Sequence, residues 1–229
     1  MNLQGLQKLT LLDFPGKTAC TLFTGGCNLR CPFCHNAALI VPPNAGEIDE
    51  EDFFAFLTSR QGLLDGVAIT GGEPLAQRDI APFLRRVREL GFLIKLDTNG
   101  FYPDVLKALI DEGLLDYVAM DLKNSDGKYA ATCGREGLDL APMKKSVRLL
   151  MESGVDYEFR TTVIRDYHTV ADVEAIARGI AGAPRYYLQQ FKDSGILAAG
   201  TCSAHDEATL IEMRDRARKY IPTVEIRGI

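Results

Sequence analysis

The chain has 229 residues, 46% hydrophobic and 25% charged, which is enough to bury a sizeable core as one domain over 1–229. A net charge of −5 leaves no basic field to recruit nucleic acid. The opening MNLQGLQKLTLLDFPGK has no apolar stretch behind a basic one, and no apolar run reaches membrane-spanning length. The expectation is a cytoplasmic protein with neither membrane nor nucleic acid as partner.

In chain order, short runs rich in Val, Ile, Phe, Tyr and Thr predict strands at 19–24 (ACTLFT), 66–70 (GVAIT), 92–98 (FLIKLDT), 117–122 (YVAMDL), 157–164 (YEFRTTVI), 185–191 (RYYLQQF) and 223–228 (TVEIRG). Amphipathic stretches lie between them. DEEDFFAFLTSR opens on acids, as a helix N-terminus prefers, and DIAPFLRRVRELG closes on glycine. PDVLKALIDEG has Pro at its start and Gly at its end. APMKKSVRLLMESG, TVADVEAIARGIAG and DEATLIEMRDRARKY complete the series. Near-continuous apolar strands separated by helices predict an α/β fold on a parallel sheet, closed into a barrel or left as an open partial barrel.

Such folds gather function at the carboxyl ends of their strands. The residues there are GGCNLRCPFCHN after the first predicted strand, GGEP after the second and DTNG at the end of the third. DLK ends the fourth, Arg160 lies within the fifth, and QQFKDSG ends the sixth. Cys27, Cys31 and Cys34 follow the spacing C-x3-C-x2-C. Thiolates are soft ligands for zinc or iron–sulfur clusters. Zinc would need a fourth ligand, and His35 adjoins Cys34 so closely that both reaching one ion is awkward. A four-iron cluster on three cysteines leaves one iron open for substrate. A redox thiol pair is the remaining alternative. Cys20, Cys133 and Cys202 are scattered and read as small buried hydrophobes.

C-x3-C-x2-C with aromatic Phe33 before the last cysteine resembles the radical S-adenosylmethionine (SAM) superfamily. Gly71-Gly72-Glu73-Pro74 resembles that family's GGE motif. The resemblance implies a partial (β/α)6 TIM-like barrel and a [4Fe-4S] cluster whose open iron binds the amino and carboxylate groups of SAM. One electron then yields a 5′-deoxyadenosyl radical. DFPG (13–16), CHN (34–36), LDTNG (96–100) and MDLK (120–123) together resemble the glycyl-radical-enzyme activases. The nearest pattern is that of the activating proteins of anaerobic ribonucleoside-triphosphate reductase, with pyruvate formate-lyase activases related.

Carried over residue by residue, the resemblance makes Cys27, Cys31 and Cys34 the cluster ligands and places Phe33 on the adenine and Asn36 near the nucleoside. Gly71, Gly72 and Glu73 serve the SAM amino group, and Asn99 the cofactor. Lys123 and Arg160 lie by its carboxylate or sugar. Asp97, Thr98 and Asp121 match positions for a monovalent cation. Lys192 stands where formate-lyase activases carry His. His168 reads as a loop or helix-cap residue. The implied partners are a glycyl radical enzyme and flavodoxin or ferredoxin as electron donor, in an anaerobic setting. Rival readings are a radical SAM enzyme acting on a small molecule, such as a synthase of modified bases, and a non-catalytic zinc or redox module.

Overall fold

The computed structural model describes residues 1–41, 46–192 and 202–229. Among these residues, eight strands form one sheet in sequence order: β1 (Leu3–Thr10), β2 (Ala19–Thr24), β3 (Gly66–Gly71), β4 (Leu93–Thr98), β5 (Tyr117–Asp121), β6 (Asp156–Val163), β7 (Arg185–Gln190) and β8 (Thr223–Arg227). β2 to β8 run parallel, while β1 is antiparallel to β2. Among the described residues β1 and β8 do not pair, so the barrel stays open along one seam. Six crossovers link the parallel strands through α1 (Glu50–Thr58), α2 (Ile80–Glu89), α3 (Pro103–Asp111), α4 (Asp126–Thr132) with α5 (Ala141–Glu152), α6 (Val170–Gly179) and α7 (Glu207–Ala217). Six β/α units with β8 closing the series are the expected partial barrel. β1 and α4 add to the predicted elements.

Local chemistry starts the helices where the acids and hydroxyls predict. The Asp49 carboxylate accepts the Glu51 and Asp52 amides ahead of α1. Thr169 and Asp172 form a capping box at α6. Alternation along the strands then sorts side chains by face. Leu22, Ile69, Leu96, Val118, Phe159, Leu188 and Val224 turn outward and are fully buried under the helices. Each such side chain contributes about 1.5–3 kcal/mol by burial.

The inward face is different in kind. At the amino ends of the strands, Phe14 packs with Ala19, Tyr117 and Ala119 in a small separate cluster. Gly66 makes room for it, since a Cβ there would stand 2.9 Å from the Phe14 ring. The DFPG motif is therefore a plug at the end of the barrel opposite the cysteines. Beside the plug, Tyr117 donates to the buried Glu158 at 2.8 Å, and Arg227 pairs with the same carboxylate at 2.7 Å. No helix among the described residues is long and apolar enough to cross a membrane.

Candidate functional site

The cysteine loop leaves β2 through Gly25 and Gly26 and folds back on itself. Gly26 donates its amide to the Leu39 carbonyl at 2.8 Å, and Cys27 donates to that of Ile40 at 3.2 Å. Cys34 donates to the Cys31 carbonyl at 3.1 Å, closing a tight turn. The loop needs its glycine neighbours for packing. A Cβ on Gly72 would lie 2.1 Å from the Gly26 carbonyl oxygen, and one on Gly71, at φ +116°, only 2.3 Å from the Thr24 amide. The two glycines thus let the end of β3 press backbone to backbone against the cysteine loop.

All three cysteines line one cleft of ≈ 830 Å3, counting its open mouth. Phe33, Asn36, Gly71, Gly72, Asp97, Thr98, Asn99, Asp121, Lys123 and Arg160 line it too. The structure therefore unites these sequence-predicted residues at the carboxyl ends of β2 to β6. Phe33 is buried and its ring meets that of Tyr167 at 5.8 Å. Two predicted residues stand outside the cleft. Lys192 is exposed, with its side chain passing near Gly228. The rest of the predicted DSG stretch, 193–195, lies outside the described residues.

Glu73 also departs from its expected role. It is fully buried beneath the cleft, where its carboxylate accepts from the Leu75 amide (3.1 Å), the Thr98 hydroxyl (2.7 Å) and the Asn99 amide (2.7 Å). Its carboxylate is spent on positioning the end of β4, so an ammonium ligand would meet the neighbouring backbone instead. Burial pushes the Glu73 carboxyl up to about 7 against these hydrogen bonds.

The polar side of the cleft is an ion-pair chain. Asp97 pairs with Lys95 and, at 3.3 Å, with Arg160. Asp121 pairs with Arg160 at 2.9 Å and with Lys123 at 3.0 Å. Burial opposes the Asp121 charge, yet Arg160 and Lys123 hold it well below the usual carboxylate range. Three cations against two carboxylates leave one formal positive charge. Such a set suits a carboxylate ligand. Thr98 donates its hydroxyl to Glu73, and Asp97 and Asp121, the carboxylates expected to hold a monovalent cation, each carry ion pairs.

The donor set fits an iron–sulfur cluster better than a single ion. Among the described residues, no three His, Cys, Asp or Glu gather closely enough to hold one metal. His35 stacks on Phe191 at 5.5 Å instead of joining the thiols. Cys27 receives the Leu29 amide at 3.4 Å and the Asn99 amide group at 3.8 Å, the kind of N–H···S contacts that steady cluster thiolates. Burial raises Cys27 to about 11 and raises Cys34, whereas the neighbouring Cys133 thiol lowers Cys31. Loading would therefore release protons from at least the first two.

The radical SAM superfamily profile matches residues 21–179. The chain belongs to the radical SAM superfamily. A Methanocaldococcus jannaschii protein carrying the provisional name glycyl-radical enzyme activating enzyme is 34% identical over 233 residues, covering 98% of this chain and 95% of its own. A 7-carboxy-7-deazaguanine synthase of Thermococcus kodakarensis is 27% identical over 206 residues, covering 81% and 79%. Among solved structures, a domain of pyruvate-formate lyase-activating enzyme from Bacteroides vulgatus superposes with a TM-score of 0.58 at 18% identity, covering 71% and 99%. As radical SAM enzymes use a [4Fe-4S] cluster and SAM, Cys27, Cys31 and Cys34 are the residues that would hold the cluster here.

Several contributors to this radical SAM site have no motif of their own. Thr162 and Thr70 line the cleft from β6 and β3. Lys95 is 2% exposed and anchors Asp97 from within β4. A lysine inside the apolar run FLIKLDT was the available signal. Cys133, scattered in sequence, lies against Cys31. His168 is buried and its Nε2 sits 2.7 Å from the Lys123 carbonyl, so it holds the segment that carries Lys123. It lies in the loop directly ahead of α6, whose cap is Thr169, so of the two expected roles it takes the loop one.

Proposed function

We propose that the chain, as one radical SAM domain over 1–229, generates a glycyl radical on a partner enzyme, and that the partner is anaerobic ribonucleoside-triphosphate reductase. The observation that carries the reading is the meeting of three thiols with a carboxylate-ready cationic pair, Lys123 and Arg160, in one cleft. The likeness to the M. jannaschii activating enzyme over nearly the whole chain supports the activase class. When bound, the cluster and SAM supply one-electron cleavage and a 5′-deoxyadenosyl radical that takes hydrogen from a glycine α-carbon, giving 5′-deoxyadenosine and the glycyl radical.

The chain's own residues do the holding. Lys123 and Arg160, fixed by Asp121 and Asp97, orient the SAM carboxylate. The Gly71–Gly72 backbone offers its carbonyls to the amino group, while Glu73 keeps Asn99 aimed at the cleft. Phe33, Tyr167 and Asn36 flank the nucleoside, and Leu29 and Ile40 exclude water on the apolar side. Flavodoxin or ferredoxin would donate the electron, in an anaerobic cytoplasm. A potassium-class cation at Asp97, Thr98 and Asp121 would have to displace Arg160 or Lys123, so SAM cleavage kinetics with and without potassium decide it.

The test is an electron paramagnetic resonance spectrum. The chain is loaded anaerobically, reduced, and mixed with SAM and anaerobic ribonucleotide reductase. A glycyl radical doublet on the reductase is expected. Formation of 5′-deoxyadenosine without a doublet would reject that partner. The likeness to a 7-carboxy-7-deazaguanine synthase favours a second reading, chemistry on a small purine-like molecule. Substrate-dependent deoxyadenosine with no protein radical would mark it.

A further inference from the structure

Cys133 caps the end of α4, and that end is docked on the cysteine loop. Its carbonyl accepts the Arg30 amide at 2.9 Å. A Cβ on the next residue, Gly134, would stand 2.3 Å from the Arg30 carbonyl oxygen. The two backbones therefore touch one residue before Cys31, and only glycine permits the approach. This docking brings the Cys31 and Cys133 side chains together in the same buried core, where each is the other's neighbouring thiol. Cys31 lines the cleft, where small solutes reach it, while Cys133 is fully buried behind it. Cys27 is differently placed, with its sulfur engaged by Leu29, Asn28 and Asn99.

We propose that Cys133 is the resolving thiol of Cys31, so that in the cluster-free chain a peroxide converts the pair into a reversible Cys31–Cys133 disulfide that masks one cluster-ligand position. The Cys31 sulfur attacks one peroxide oxygen, the O–O bond breaks, and one water leaves as Cys31 becomes a sulfenic acid. The Cys133 sulfur then attacks the Cys31 sulfur, and the S–O bond breaks as the S–S bond forms. The sulfenic hydroxyl departs as a second water with the Cys133 proton. Two electrons pass from the thiols to the peroxide. A buried partner held beside it by the Arg30 docking completes the second step before another peroxide arrives, which keeps Cys31 off the irreversible rungs of oxidation.

The masking consequence rests on Cys31 being a cluster ligand, whereas the disulfide does not. The full-length cluster-free chain is treated with hydrogen peroxide, digested without reductant and mapped by mass spectrometry. A second portion is offered iron and sulfide before and after a dithiol reductant. The expected result is a peptide of Cys31 linked to one of Cys133, lighter by two hydrogens, with iron uptake lost and then restored. Cys133→Ser and Cys133→Ala are expected to take up the full iron complement when untreated, and after peroxide to lose most of it beyond rescue. Links confined to Cys27, Cys31 and Cys34, or full dithiol rescue of the Cys133 variants, would overturn the proposal. A Cys31–Cys133 link with undiminished iron uptake would instead keep the pair and refute Cys31 as a ligand.

Discussion

Glu73 accepts three hydrogen bonds in a fully buried place, and its carboxyl titrates at about 7 instead of its ordinary 4.5. Below about pH 4.5 it is protonated in both folded and unfolded chains. Between there and about 7 the unfolded chain releases its proton while the folded one retains it, so stability falls as pH rises through this window. The loss amounts to roughly 3 kcal/mol. Urea titrations of the cluster-free chain across these pH values should show the decline, and Glu73→Gln should abolish it. The same variant should cost about 1–3 kcal/mol at low pH, because an amide nitrogen then faces the Asn99 amide. At the cleft, Cys31→Ala should leave a folded chain that neither assembles a four-iron cluster nor cleaves SAM, read by iron analysis and deoxyadenosine release. Asp121→Ala removes the carboxylate shared by Arg160 and Lys123, leaving Lys123 unpaired and Arg160 held by Asp97 alone. It should weaken SAM binding about tenfold or more, with iron content unchanged, as measured by equilibrium binding.

Glycine contacts tie the elements of the site together. Gly72→Ala drives a Cβ into the Gly26 carbonyl, so the end of β3 must leave the cysteine loop. The expected cost is about 1–3 kcal/mol, with a matching loss of cluster assembly, checked by denaturation and by iron per chain. Most elements were legible in the sequence because the seven parallel strands are apolar on the face that the helices cover, which writes them as compact runs. β1 was not, because LQGLQKLT is an edge strand with mixed exposure and a glycine, so no run or strict alternation marks it. α4 escaped for another reason: DGKYAAT spans seven residues with Gly and Thr and offers too few turns for a periodic face. The site shows the same division. Cysteines, GGE and DTNG announce themselves because their residues are neighbours in sequence. Lys95 against Asp97, Arg160 between two aspartates and Cys133 against Cys31 are products of register and docking, which no local pattern records.

For the whole molecule, the open seam and the plug set the terms. Phe14→Ala should cost about 3–5 kcal/mol by leaving a hole among Ala19, Tyr117 and Ala119, while iron bound per folded chain stays the same, because the plug sits at the far end from the thiols. Thermal denaturation with parallel iron analysis checks both halves. Phe14 fills the barrel at the amino ends of its strands and the Glu158–Arg227 pair crosses the interior above it, so among the described residues the cleft opens toward the carboxyl ends. On the proposed function, a chamber loaded through its carboxyl-end mouth fixes the order of events. Whatever seats on Lys123 and Arg160 must arrive before a bulky protein segment covers the mouth, and its spent fragments must wait until that segment withdraws. Each encounter therefore delivers a single event, and the dwell time of the covering protein, not the chemistry beneath it, would set the pace of successive cycles.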